Sequence, residues 1–149
     1  GYGYNVSDLC NEIQKILGID KVCKCIIIGA GNLGKTIATH MPFEKLGFRL
    51  TGIFDNDPSL IGKKINEHDI MPDSAIPDFI ESEKPEMAIL CVPKNSARDV
   101  VKILYDGEIK YFWNFSHYDI ALEFPDVVTE NVHLNDTLLT LRYQIAQNH

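Results

Sequence analysis

Ile26-Ile27-Ile28-Gly29-Ala30-Gly31-Asn32-Leu33-Gly34 decides the fold of this chain. The stretch from Val22 to Ile28, with its continuous apolar end, suits a parallel strand buried on both faces. It is followed at once by a glycine loop and then by a helix from about Asn32 to His40. A lone glycine triplet is a weak signal, but the strand before it and the helix after it are what phosphate binding requires. Gly29 permits a tight turn, Gly31 lets backbone approach a pyrophosphate, and Gly34 lets helix and strand lie close. Unpaired N–H groups and the macrodipole at the helix N-terminus then favour a bound anion.

The next strand, Phe48 to Phe54, ends at Asp55, 21 residues beyond Gly34. A carboxylate there can accept hydrogen bonds from both hydroxyls of an adenosine ribose, and it repels a 2′-phosphate. No arginine follows closely, Lys63 and Lys64 being the next cations along the chain. The expected cofactor is therefore NAD(H) rather than NADP. Gly29, Ala30, Gly31, Asn32, Leu33, Gly34, Asp55 and the adjoining Asn56 form the expected nucleotide site.

Further along, Asn56-Asp57-Pro58 is turn chemistry and Ile65 to Ile70 reads as a short excursion. A helix near Ala75 to Ser82 leads to a third strand, Met87 to Cys91. Ser96 is the expected cap of a helix through Leu104. Tyr111 to Trp113 forms a fourth strand ending at Asn114, and Val127 to Thr129 a fifth. This alternation spells a doubly wound, Rossmann-type α/β domain with a mostly parallel sheet. Ligands collect outside the carboxyl ends of such strands. Val92 and Pro93 after the third strand, and Asn114 and Phe115 after the fourth, are accordingly expected beside the cofactor.

Both ends of the chain read as helices. Asn5 or Ser7 can cap a lead-in helix within residues 1–18, striped by Val6, Leu9, Ile13, Ile16 and Leu17 and closed by Gly18. Leu134, Leu138, Leu141 and Ile145 form an apolar seam on a C-terminal helix over residues 134–149. That seam either rests on the chain's own sheet or reaches a second subunit. The chain opens on Gly1-Tyr2-Gly3-Tyr4-Asn5-Val6 without an initiator Met, which reads as a fragment boundary.

Composition narrows the function. The 149 residues carry a formal charge of -7, and the 14 lysines and arginines are scattered, unlike a nucleic-acid grip. No apolar run approaches the roughly 20 residues that span a bilayer, no signal peptide opens the chain, and cytoplasm is the expected compartment. Cys23, Cys25 and Cys91 lie on strands as small apolar residues, and a Cys-x-Cys without a second ligand pair gives no zinc site. No Tyr-x-x-x-Lys pair, HExxH, P-loop or G-x-S-x-G occurs. His117, with Asp119 as the only nearby carboxylate to orient it, is the best candidate acid/base, and His68 in Glu67-His68-Asp69 reads as solvated surface. A cofactor site without a credible hydride partner points to sensing. An NAD-dependent oxidoreductase domain using His117, or a module for CoA or another nucleotide, remains the alternative.

The motifs Gly1–Val6, Gly29-x-Gly31-Asn32-Leu33-Gly34, Phe54-Asp55-x-Asp57-Pro58, Val92-Pro93, Asn114-Phe115 and Asn131-Val132 together resemble, in order and spacing, the Rex family of bacterial redox-sensing repressors. The resemblance covers essentially the whole chain. It implies a non-enzymatic homodimer that reads the NADH/NAD⁺ ratio, with operator DNA held by an N-terminal winged-helix domain preceding residue 1. It implies that the C-terminal helix is exchanged between subunits, and that Leu134 approaches the partner's nicotinamide. Four residues depart from the family pattern. His133 stands where an Asp is usual, His40 where a Tyr is common, and Ser116-His117 where Ala-Pro is usual. The first two belong to the polar linkage that the resemblance assigns to redox coupling.

Overall fold

The computed structural model describes residues 22–148. The lead-in helix expected over residues 1–18, and Cys10, lie outside the described residues. The order of elements is β1 (Cys23–Ile28), α1 (Asn32–His40), β2 (Phe48–Asp55), β3 (Lys64–Ile65), β4 (His68–Pro72), α2 (Ile76–Glu83), β5 (Met87–Leu90), α3 (Lys94–Asp106), β6 (Tyr111–Asn114), α4 (Ile120–Glu123), β7 (Val128–Asn131) and α5 (Leu134–Gln147).

The seven strands form one sheet in the order β3-β4-β2-β1-β5-β6-β7. Only the β3–β4 pairing is antiparallel. From β4 to β7 the order runs outward in both directions from the β1/β5 pair, so the direction of winding reverses there. In such sheets that reversal opens a crevice at the carboxyl ends of the strands.

Alternation along the strands divides the core into two layers. Ile26, Ile28, Phe54, Ala88 and Leu90 face α2, α3 and α4, meeting Ile76, Ile80, Val101, Leu104 and Ile120. Cys25, Ile27, Ile53 and Ile89 face the other way, toward Ile37 and Ala38 of α1. Ile26, Ile27 and Ile28 are all fully buried, which is why the strand reads as a continuous apolar run rather than an alternating one.

Two local expectations need correction. The excursion over Ile65 to Ile70 is a hairpin, turned at Asn66 with a left-handed φ of 54°. Its second arm, β4, is a full parallel member of the sheet, with Ile70, Met71 and Pro72 paired to Ile53, Phe54 and Asp55. Ser96 does not cap α3, because Pro93 occupies that place with φ -62° and ψ 154°, and the helix starts at Lys94. Proline's fixed φ suits an entry position, where no N–H bond is lost.

Beyond Leu134, the C-terminal seam is not buried by this chain's own sheet. Leu138 is 66%, Leu141 53% and Ile145 43% exposed, with Leu139 and Tyr143 exposed beside them. Among the described residues no helix is long and apolar enough to cross a membrane.

Candidate functional site at the strand reversal

Gly29 follows β1 with φ 103°, and a Cβ on it would lie 2.6 Å from the Cys91 carbonyl oxygen just beyond β5. The turn therefore needs glycine for its angle and for the closeness of the neighbouring strand. At Gly34 a Cβ would stand 1.8 Å from the Gly29 carbonyl oxygen, so helix and turn are in direct backbone contact. Gly31 differs, since a Cβ there meets no atom within 4 Å. The protein's own packing makes no demand for glycine at that position.

Gly29, Gly31, Asp55, Asn56, Val92 and Pro93 come together around one hollow of about 330 Å³ at the carboxyl edge of the sheet. The N-termini of α1 and α3 both open onto it. Neither helix has a side-chain cap or an acidic residue in its first turn, so their leading N–H groups are not engaged by such side chains. Two uncapped helix starts beside one cavity favour an anion between them.

The carboxylate of Asp55 ties the rim together. Its Oδ2 accepts the Ala30 N–H at 2.6 Å and its Oδ1 the Asp57 N–H at 2.9 Å. Each carboxylate oxygen retains a further lone pair. Asp57 in turn accepts the Ser59 N–H and hydroxyl, and these bonds hold its carboxyl below the usual range.

Asp73 also lines the hollow, just after Pro72 ends β4. Its Oδ1 is buried without a hydrogen-bond partner. Burial, and then the charge of Asp55, push its carboxyl upward from the ordinary aspartate value. Sequence reasoning missed this residue, together with Asp57, Leu60, Ser96 and Val100. Recognising the polar run Glu67-His68-Asp69 as the start of a parallel strand would have placed Asp73 at the carboxyl edge.

The remaining expected contacts are placed differently. Ala30 and Gly34 are buried in the turn, Asn32 is exposed at the start of α1, and Leu33 packs on the α1 layer. Asn114 is 2% exposed and committed to its own loop. Its Nδ2 donates to the Tyr118 carbonyl and to Asn131 Oδ1, at 2.7 and 2.9 Å. Its Oδ1 accepts the Ser116 N–H and hydroxyl, at 2.9 and 2.5 Å. Those four bonds use the whole capacity of an amide side chain, so Asn114 shapes the β6 loop rather than presenting a free amide. Phe115 stacks edge-on against Trp113 at 4.8 Å. Leu134 opens α5.

The expected orientation of His117 by Asp119 does not occur, Asp119 preceding α4 as its cap position instead. His117 Nδ1 lies 3.1 Å from His133 Nδ1, and His117 holds a left-handed φ of 66°. Two of the departures from the family pattern thus meet each other. His40 ends α1 next to Met41, which shares a groove with the first residues of β5, β6 and β7. It therefore lies at the opposite end of the strands from His133.

The three described thiols are poor nucleophiles. Burial lifts Cys91 to about 12 and Cys25 to about 12, and burial with the nearby Glu86 carboxylate lifts Cys23 to about 11.

Residues 20–118 match the family model described as CoA binding domain. The chain is 48% identical over 147 residues to the redox-sensing transcriptional repressor Rex of Thermoanaerobacter sp. (strain X514), covering 99% of this chain and 65% of that protein. It is 46% identical over 143 residues to Rex of Clostridium novyi (strain NT), covering 96% and 68%. Two crystal structures of RSP superpose on it over 99% of its length. RSP in complex with beta-NADH gives a TM-score of 0.83 at 46% identity, with 71% of that chain covered. RSP in complex with beta-NAD+ and operator DNA gives 0.82 at 47%, with 68% covered. Matched in sequence and backbone from the glycine turn to the C-terminal helix, the chain belongs to the Rex family of redox-sensing transcriptional repressors.

Proposed function

We propose that this chain is the NAD(H)-binding, dimerising sensor part of a Rex-type repressor, responding to the NADH/NAD⁺ state of the cytoplasm without turning the cofactor over. The observation that carries the reading is the hollow itself. It joins a glycine turn, two uncapped helix N-termini and the Asp55 carboxylate at the strand reversal. Gly31, whose Cβ would meet nothing of the protein, leaves the approach open to a diphosphate. Asp55 keeps lone pairs for the adenosine ribose, and Val92 and Pro93 give the cavity an apolar wall. Nicotinamide, when bound, supplies the redox state to be read. The protein's part is to hold it and to differ in affinity between its conformations.

Asp55, Asp57 and Asp73 line the same cavity. Three carboxylates disfavour the 2′-phosphate of NADP by charge, and equally the 3′-phosphate of CoA. The CoA-binding family match makes CoA the second reading, and this acidic rim weighs against it. Against catalysis stand the high thiol values, the committed Asn114 amide and a His117 joined to another histidine.

The exposed side chains of Leu138, Leu139, Leu141, Tyr143 and Ile145 on α5 support a homodimer through that helix. In this reading operator contact belongs to a winged-helix domain outside residues 1–149, and neither membrane nor metal takes part. Calorimetric titration with NADH, NAD⁺ and CoA tests the proposal. NADH should bind once per chain and more tightly than NAD⁺, with CoA failing to compete. Absence of NADH binding, or equal binding of the two redox forms, would overturn it.

A further inference from the structure

We infer that Asp73 selects the base of the bound dinucleotide by accepting a hydrogen bond from the exocyclic amine of adenine. The inference rests on the NAD(H) reading above and gives it a specificity-determining residue. Asp55 and Pro72 are paired across β2 and β4, so Asp73 follows directly on the register partner of Asp55. Neighbouring strands stand about 4.8 Å apart. Asp73 is therefore one strand farther from the β1/β5 reversal than Asp55. A nucleotide with its diphosphate at Gly31 and its ribose at Asp55 runs outward along that line, and its base arrives at Asp73.

The two carboxylates differ in what they lack. Both oxygens of Asp55 already accept backbone N–H groups, whereas Asp73 Oδ1 is buried with no partner. A buried acceptor left unpaired is costly, and a small side-chain adjustment would bring the Asp73 carboxylate, which lines the hollow, onto an incoming donor. Leu60 and Val92 on the same cavity supply apolar contact for a flat ring. A purine amine satisfies such an acceptor, while a 6-oxo group would set oxygen against oxygen. The upward push on the Asp73 carboxyl from burial and from Asp55 fits an acid whose partner arrives with the ligand.

The test compares NADH with reduced nicotinamide hypoxanthine dinucleotide, which carries an oxo group in place of the amine and a hydrogen on the adjoining ring nitrogen. Both are titrated calorimetrically into the wild-type chain, Asp73→Asn and Asp73→Ala, with thermal unfolding measured on each. The wild type should prefer NADH by at least about tenfold, as sites built to pair a polar substrate group reject the analogue without it. Asp73→Asn, able to donate to the oxo group, should bring the two within about threefold. Equal binding by the wild type, which requires no variant to fold, overturns the inference. So does a folded Asp73→Asn that keeps the full preference. Failure of NADH itself to bind would sink the NAD(H) reading and this inference with it, and is distinguishable from loss of the preference alone.

Discussion

Gly31→Ala and Gly34→Ala should separate the two reasons a glycine stands in the loop. At Gly34 the added Cβ lies 1.8 Å from the Gly29 carbonyl oxygen and 2.9 Å from its carbon. The two backbones must part by about 1.2 Å before that contact reaches the 3.0 Å below which Cβ atoms are essentially never found. Overpacking of this kind costs about 1–3 kcal/mol, and with backbone on both sides the upper end applies. Alanine's better helix propensity offsets about 1 kcal/mol of this, leaving a net loss of roughly 2 kcal/mol. At Gly31 nothing lies within 4 Å, and φ -71° with ψ -163° suits alanine. Stability should stay within about 0.5 kcal/mol or rise slightly, because alanine has fewer unfolded conformations to lose. Yet the new methyl enters the space assigned to the diphosphate. NADH affinity should fall by at least about tenfold, or about 1.4 kcal/mol. Urea unfolding and NADH calorimetry on both variants make the comparison. A folded Gly31→Ala that binds NADH as the wild type does would refute the phosphate-cradle reasoning, and so would a Gly31→Ala as unstable as Gly34→Ala.

Other consequences can be measured on the same protein. Asn114→Ala strands the Ser116 N–H and hydroxyl at a buried position, and should cost about 2–3 kcal/mol in urea unfolding. Asp73→Asn should raise the melting temperature of the free protein at pH 8 and leave it unchanged near pH 4. A carboxyl raised in the folded state destabilises the fold once ionised, and that cost vanishes as it protonates. Melting curves across that range would show the trend, and a gain that grew toward acid pH would have the wrong sign. Leu138→Asp combined with Leu141→Asp places two charges on the exposed face of α5. Light scattering should then report a monomer, against the dimer expected of the wild type.

Much of the site could be read from the residues because its parts are local. The glycine turn, its strand and its helix follow one another within 18 residues from Cys23 to His40, and Asp55 ends the adjacent strand. Each is fixed by backbone geometry that only certain residues tolerate. What escaped depends on tertiary neighbours. β4 hid because an outlying strand of five residues carries polar side chains, and with it went Asp73. Asn114 looked like a ligand contact, since nothing in a linear pattern reveals that Ser116, Tyr118 and Asn131 consume its amide. Ser96 was the better cap by side-chain chemistry, yet Pro93 starts the helix with its constrained φ. The leucine seam of α5 announces an apolar stripe, but periodicity does not say which body covers it. His117 and His133 stand 16 positions apart, and only the fold brings them into contact.

A crystal structure of the chain grown with NADH shows whether the hollow after β1, β2 and β5 is a dinucleotide site. The diphosphate should lie on the leading N–H groups of α1 beside Gly31, the adenosine ribose on Asp55 and the adenine amine at Asp73. A dinucleotide bound away from the glycine turn, or with its adenosine on the β6 side of the reversal, would contradict the account.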